Sequence, residues 1–322
     1  MSVFRVPVER AGERLDRFLQ SELKRTSRTR TQYIVKVSAF DVHGKRMKSN
    51  HRLAAEERIL LWRPAWDENP VPTECPVVWE DDWFLAVNKP PFLPVHPTAR
   101  YYRNTVIKVL QAERPGQFLS LAHRIDRETS GVLLLAKTAE ADRKVKRLLE
   151  DRDDVGKSYL AIAKTAPEGF GTEPIRFECF MRLAPDARYK VKMSECKEGD
   201  VGSMHSSTVF RKLETRANGY TMMECVLETG RQHQIRLHLS MLGAPIVGDK
   251  LYGPDDGFFA KAADNELTEE DLVLLEHDRH ALHAHTLEFN HPFKNERTRI
   301  VAPLPSDLAL LWERANEVPK DA

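Results

Sequence analysis

Residues 121–138, LAHRIDRETSGVLLLAKT, join two halves of opposite character. The second half, Gly131 to Ala136, is a continuous apolar run bounded by Gly131 and Lys137. It predicts a short strand buried on both faces. The first half, His123 to Ser130, sets seven polar or charged side chains in eight residues directly ahead of that strand. A polar loop held by a rigid core strand is where chemistry tends to sit. Asp126 stands near Arg124 and Arg127, and nearby guanidinium groups hold a carboxylate ionised. Such a carboxylate serves as a nucleophile, a metal ligand or half of an ion pair. From the residues alone the commoner outcome is the ion pair, in a loop capped by Thr129 and Ser130.

His-Arg-Ile-Asp differs from the kinase catalytic loop His-Arg-Asp by one inserted residue. Gly131 stands five residues after Asp126 where a kinase has Asn, and no glycine-rich phosphate loop lies upstream. A kinase is therefore excluded. HRIDRETSG instead resembles the His-Arg-Leu-Asp-Arg-x-Thr-Ser-Gly motif of the RluA family of pseudouridine synthases, with Ile125 for the usual Leu. The resemblance implies that Asp126 is the catalytic nucleophile and that Arg124 helps displace the target base from the RNA.

Two later segments extend the resemblance. Val155 to Lys164, VGKSYLAIAK, reads as a strand with Tyr159, Ala161 and Ala163 on one face. On residues alone Tyr159 is a core or edge tyrosine. Lys-x-Tyr followed by alternating small and branched residues is similar to the family's second motif, which implies that Tyr159 stacks on the target base and moves a proton. Stacking of this kind contributes ~1–3 kcal/mol. Residues 229–253, TGRQHQIRLHLSMLGAPIVGDKLYG, resemble the third motif along nearly its full length. This implies that Arg236 pairs with Asp126, since a buried carboxylate nucleophile needs a fixed counter-ion. Thr229-Gly-Arg-Gln232 also has the form of a capping box. It predicts a helix from there, through Ile235 and Leu239, to a stop at Gly243.

The 322 residues suit one large domain plus a small one. A composition of 41% hydrophobic and 30% charged residues is that of a soluble globular protein. No apolar run approaches the ~20 residues that span a bilayer, and MSVFRVPVERAGERLD lacks the apolar core of a secretory signal. The expected location is the cytoplasm. Cys75, Cys179, Cys196 and Cys225 form no C-x-x-C pair and fit no zinc spacing, so free thiols are expected. The net charge of +1 hides an asymmetry. Residues 1–65 carry 15 Lys/Arg against 7 Asp/Glu, or +8, and residues 255–278 carry 1 Lys against 9 Asp/Glu, or −8. Such a chain offers one face to a polyanion and turns another from it.

In the basic segment, Leu15, Phe18, Leu19 and Leu23 recur at helical spacing within Arg14 to Leu23. Ser27 or Thr29 offers an N-cap for a second helix, Arg30 to Val37. A strand with a turn at Gly44 and a strand over Arg58 to Trp62 follow. Lys24, Arg25, Arg28 and Arg30 supply phosphate contacts without sequence readout. The series R-L-D-R-F-L, S-R-T-R, V-H-G-K and a final strand resembles the S-four-like RNA-binding domain. It departs at Ser38-Ala39-Phe40, where a Gly is usual. The resemblance assigns RNA contacts to Arg14, Arg17, Arg28, Arg30 and Lys45.

The expected domains are residues 1–64 as this RNA-binding domain, 65–76 as a proline-rich linker, and 77–322 as the catalytic domain. Val77 to Lys89 predicts a hairpin turning at Glu80-Asp81-Asp82. Helices are predicted over Arg103 to Ala112 and Glu140 to Glu150. His280-x-x-His283-x-His285 invites a metal, but no carboxylate at a fixed spacing completes a set. Residues 254–279 form an acidic insert, helical at Thr268 to Leu275.

The expected fold class is α+β: a mixed, mainly antiparallel sheet catalytic domain of pseudouridine synthase type, preceded by a small α/β RNA-binding domain. The implied reaction isomerises specific uridines in structured RNA, large-subunit ribosomal RNA first and tRNA second. Asp126, Tyr159 and Arg236 carry it. No net redox or group transfer occurs, so no cofactor and no metal are expected. RNA is the expected partner, the membrane is not, and the chain is expected to be a monomer. Two rivals stand beside this reading: a non-catalytic RNA-binding or ribosome-assembly factor, and a metal-dependent hydrolase acting on nucleic acid.

Overall fold

A computed structural model describes residues 2–23, 28–62, 68–98, 101–151, 155–171, 173–264 and 266–316. The chain divides into two compact units, Met1–Asp67 and Glu68–Ala322. Among the described residues no helix is long and apolar enough to cross a membrane.

In the first unit, β1 (Ser2–Arg5), β2 (Ala39–Phe40) and β3 (Arg58–Leu61) form an antiparallel sheet with β3 central. Two helices pack with it, α1 (Leu15–Glu22) and α2 (Arg28–Ser38). The apolar stripe of α1 is buried as its spacing predicts. Leu15, Phe18 and Leu19 meet Ile34, Val35, Ile59 and Leu61 in one core. Asp16 on the same helix is fully buried. It accepts bonds from Arg14 Nε and Nη2, at 2.9 and 2.8 Å, and from Gln32 at 2.9 Å. The Arg14 hydrogen bonds outweigh burial and hold this carboxyl well below the usual range. The expected strand from Phe40 shrinks to two residues, because Asp41 Oδ1 captures the N–H groups of His43 and Lys45 and turns the chain at Gly44. The candidate cap Ser27, with Lys24 and Arg25, lies outside the described residues, as do the side chains of Thr29 and Arg30 and linker residues 65–67.

The second unit begins with a hairpin of β4 (Val77–Glu80) and β5 (Phe84–Lys89), whose turn is held by Asp81 Oδ1 on the N–H groups of Trp83 and Phe84. The chain then runs through α3 (Val106–Glu113), β6 (Ser120–Leu121), β7 (Ser130–Ala136), α4 (Ala139–Asp151) and β8 (Val155–Ala163). It continues with β9 (Ile175–Leu183), β10 (Met193–Cys196), β11 (Met204–Thr215), β12 (Thr221–Leu227) and α5 (Gln234–Met241). The acidic insert adds α6 (Gly257–Asp264) and α7 (Glu269–Leu275), the latter capped by Thr268 and Asp271. Last come β13 (Leu282–Asn290), β14 (Arg297–Val301) and α8 (Ser306–Arg314).

These eleven strands form one sheet in the order β10-β9-β11-β12-β8-β13-β7-β5-β4, with β14 beside β13 and β6 beside β7. The fold is mixed and mainly antiparallel, as expected. The parallel contact is between β13 and β7, where His283 and Ala284 lie against Ser130 and Gly131. Every residue of β7 is buried. Gly131 makes the parallel contact possible. Its φ is +112°, and a Cβ there would run into the Ala284 carbonyl. The apolar run and its leading glycine thus fix the polar loop ahead of β7 at the centre of the sheet.

Several histidines sit in this core as neutral, hydrogen-bonded groups. His238 Nδ1 lies 3.0 Å from Thr208 Oγ1, and its Nε2 lies 2.9 Å from Ser206 Oγ. His283 lies 3.0 Å from Ser130 Oγ and 3.1 Å from the Ala302 carbonyl. Burial pushes both down to about 4. The unfolded chain protonates them near pH 6.5, so their contribution to stability is complete above that pH. It falls by up to ~1.4 kcal/mol per pH unit per histidine as pH drops towards about 4. Thermal melting between about pH 7 and 4.5 should show this slope, and His238→Gln should flatten it by about one proton. An unchanged slope in that variant would mean that folded His238 takes up its proton as readily as the unfolded chain does.

Candidate active site

The loop ahead of β7 delivers Asp126, and α5 delivers its partner. Arg236 Nη1 donates to Asp126 Oδ2 at 3.0 Å. The rest of the guanidinium faces Asp249. Arg236 Nε and Nη2 donate to Asp249 Oδ2 and Oδ1, at 2.6 and 2.8 Å. Asp249 is fully buried and also accepts the backbone N–H groups of Leu251 and Tyr252, each at 2.9 Å. One buried cation therefore bridges two carboxylates, and planar bidentate pairing fixes its orientation.

The ion pair that the local sequence suggests does not form. Arg127 reaches Tyr101 and Glu128, at 3.4 and 3.2 Å. Arg124 is exposed and, among the described residues, makes no side-chain hydrogen bond or ion pair. Thr129 and Ser130 bond His280 and His283 rather than capping the loop. His285 Nδ1 lies 3.0 Å from the Ala302 carbonyl, so all three histidines of the candidate metal group have a ring nitrogen on a protein oxygen.

Burial alone would raise the Asp126 carboxyl, but the charges of His233 and Arg236 outweigh it and hold it below its ordinary value. His233 is itself pushed down to about 4, by burial and by Arg236. Near neutral pH it carries no charge, and the standing counter-charge is Arg236. The side chain of Asp126 is 26% exposed and faces a cleft of about 170 Å³. Arg124, Tyr159, His233 and Arg236 line the same cleft. Tyr159 on β8 is buried against it, and burial with the Asp126 charge raises its phenol. It is a proton donor at neutral pH rather than a base.

The structure thus brings together Asp126, Tyr159, Arg236 and Arg124. The remaining candidates belong to the first unit. Arg14 is tied to Asp16, and Arg28 lies 3.9 Å from the same carboxylate. Arg17 and Lys45 are exposed, with no side-chain partner among the described residues. The Arg30 side chain lies outside the described residues.

Three residues at the site escape sequence reasoning: Asp249, His233 and Lys89. Lys89 is fully buried at the end of β5 and donates to the carbonyls of Pro90, Leu93 and Arg127, at 2.7, 3.1 and 3.0 Å. Burial and the charge of Arg279 push it down to about 7. It pins the residue that follows Asp126. The start of α5 also differs from expectation. Thr229 and Gln232 form no capping box, and His233 precedes the helix in the left-handed region. The side chain of Gln234 takes over. Its Oε1 accepts from Thr229 Oγ1 and the Arg231 N–H, and its Nε2 donates to the Ser207 carbonyl and Thr208.

Residues 83–241 match the family model described as RNA pseudouridylate synthase. The chain is 32% identical over 314 residues to the ribosomal large subunit pseudouridine synthase D of Neisseria meningitidis serogroup B, covering 94% of this chain and 79% of that protein. It is 31% identical over 322 residues to the uncharacterized RNA pseudouridine synthase YlyB of Bacillus subtilis, covering 95% of each. Among solved structures it is similar to Human RNA Pseudouridylate Synthase Domain Containing 4. The TM-score is 0.58 at 25% identity, covering 76% of this chain and 94% of that one.

Proposed function

The chain belongs to the RluA-type RNA pseudouridine synthases, and from that premise we propose that it isomerises specific uridines in structured large-subunit ribosomal RNA, with Asp126 as nucleophile. As an isomerase it breaks the N1–C1′ bond of uridine, turns the uracil and forms a C5–C1′ bond, and the proton lost from C5 is balanced by one gained at N1. The bond between Arg236 and Asp126, at 3.0 Å in a cleft that also holds Tyr159, carries the reading. It supplies an ionised carboxylate whose counter-ion is locked from behind by Asp249.

Tyr159 stacks on the base and moves a proton from its neutral phenol. Arg124, exposed on the cleft and without a side-chain hydrogen bond among the described residues, displaces the base from its stack, a step that costs a few kcal/mol. Residues 1–64 act as an S-four-like RNA-binding domain through Arg17, Arg28, Arg30 and Lys45, with Arg14 serving Asp16 instead. Residues 65–76 link it to the catalytic domain, 77–322. The large-subunit target is supported by the name of the Neisseria relative. The protein works as a cytoplasmic monomer.

The test is pseudouridine mapping of total rRNA and tRNA from cells lacking the protein, rescued by wild type or by Asp126→Asn. One rRNA position should vanish and return with wild type alone. A lost tRNA position corrects the substrate. No lost position makes the protein an RNA-binding factor.

A further inference from the structure

Three hydrogen-bonding groups in series fix how the His233 imidazole is protonated. The backbone N–H of Met193 can only donate, and it does so to the Tyr252 hydroxyl oxygen at 2.8 Å. Tyr252 keeps its own proton, because burial raises its pKa. Among the described residues the one acceptor bonded to that hydroxyl is His233 Nδ1, 3.0 Å away, so the proton goes there. Nδ1 is therefore the acceptor, and a neutral imidazole must carry its hydrogen on Nε2. The Nε2–H lies 3.8 Å from Asp126 Oδ2, beyond hydrogen-bond reach. Among the described residues it has no other partner, and the ring lines the cleft. The backbone of His233 is left-handed, φ +57°, a conformation that non-glycine residues adopt at a cost and that recurs at functional sites.

We propose that His233 is a further catalytic residue, whose Nε2–H donates a hydrogen bond to the uracil carbonyl oxygen that gains negative charge as the N-glycosidic bond breaks. When the N1–C1′ bond breaks, its electron pair enters the uracil ring and spreads over the carbonyl oxygens. The charge appears whether Asp126 attacks the sugar or the base, so the proposal holds for either route. No proton is transferred. The hydrogen stays on Nε2, and the bond strengthens as charge grows, then weakens when the C5–C1′ bond forms. A donor fixed in advance, with no ground-state partner to give up, acts where such stabilisation is largest. A neutral ring suits the position better than an imidazolium, which would pair with Asp126 and blunt the nucleophile.

The proposal rests on the reading of Asp126 as nucleophile, and its test separates the two. Single-turnover rates of N1–C1′ cleavage, read as loss of the parent nucleoside because fluorine at C5 blocks the final proton loss, are measured on a transcript of the mapped rRNA segment carrying uridine or 5-fluorouridine at the target. Fluorine withdraws electrons and stabilises the departing base, so cleavage leans less on the donor. His233→Phe should lose about 10²–10³-fold on uridine, hold its RNA affinity within about twofold, and lose at least about tenfold less on 5-fluorouridine. An equal deficit on both bases, or none, overturns the proposal. If His233→Phe does not fold, Tyr252→Phe keeps the imidazole but frees its tautomer. A loss of about tenfold that shrinks on 5-fluorouridine supports the proposal, and an equal loss on both bases overturns it. Failure of the Asp126 reading would show separately, as turnover by Asp126→Asn.

Discussion

Asp126→Asn should leave a folded, RNA-binding protein that makes no pseudouridine. The amide has the shape of the carboxyl but cannot attack carbon, so single-turnover rates should fall by at least ~10⁴-fold. Folding survives because the buried guanidinium of Arg236 keeps its two bonds to Asp249. The stability loss is modest and its sign is fixed. The Asp126 carboxyl is held below its ordinary value in the folded state. Its contribution is therefore present above pH ~4 and lost as pH falls through the folded pKa. The variant lacks that contribution, on the order of 1 kcal/mol for a group a quarter exposed. Its stability falls less steeply below pH ~4. Three measurements decide the matter: product by mass spectrometry after a carbodiimide tag that marks pseudouridine, which is isobaric with uridine, RNA affinity and melting temperature. Turnover within about tenfold of wild type refutes the nucleophile assignment. A parallel loss of affinity and turnover moves Asp126 into RNA binding.

The core of the fold was legible where the signal is local. The run Gly131 to Ala136 reads as a buried strand because both of its faces are covered: Leu133 and Leu135 enter one core and Val132, Leu134 and Ala136 the other, so continuous apolarity follows. The stripe of α1 and the helix expected over Thr268 to Leu275 are likewise written in residues a few positions apart. What was not legible is pairing across long stretches of chain. Asp126 has two arginines within two positions, yet its partner lies 110 residues away on α5. Charge proximity in sequence does not decide which guanidinium reaches a carboxylate, since the direction of each side chain is set by the element beneath it.

The site was legible only in part, for the same reason. Asp126, Tyr159, Arg236 and Arg124 follow from spaced motifs, and they line one cleft. Asp249 follows from nothing local, because an Asp before Lys250 and Leu251 looks like a turn residue. Its importance arises from its burial beneath Arg236. His233 was hidden by the capping pattern Thr229-x-x-Gln232. That pattern is a competition between local and tertiary hydrogen bonds, and Gln234, bonded to Ser207 and Thr208 on β11, wins it. In the basic segment, likewise, a count of charges does not show that Arg14, a candidate RNA contact, is paired with the buried Asp16.

Asp249→Ala should cost far more stability than Asp126→Asn, although both remove a carboxylate from the same guanidinium. Asp249 is fully buried and holds four donors: Arg236 Nε and Nη2, and the N–H groups of Leu251 and Tyr252. Removing it strands a buried cation and two backbone donors, a loss of about 3–5 kcal/mol. For a chain of this size that lowers the melting temperature by on the order of 10 °C. Activity falls as well, by about 10²-fold, because Arg236 then swings on a single contact and Asp126 loses its fixed position. Arg236→Lys should behave alike, since a point charge cannot span both carboxylates. The comparison divides the labour of the two acids. One is open to the cleft and dispensable for folding; the other is sealed and needed for both. Melting of Asp249→Ala within about 1 kcal/mol of wild type would show that Asp126 alone suffices to orient Arg236. The bridge would then be a consequence of packing and not its cause.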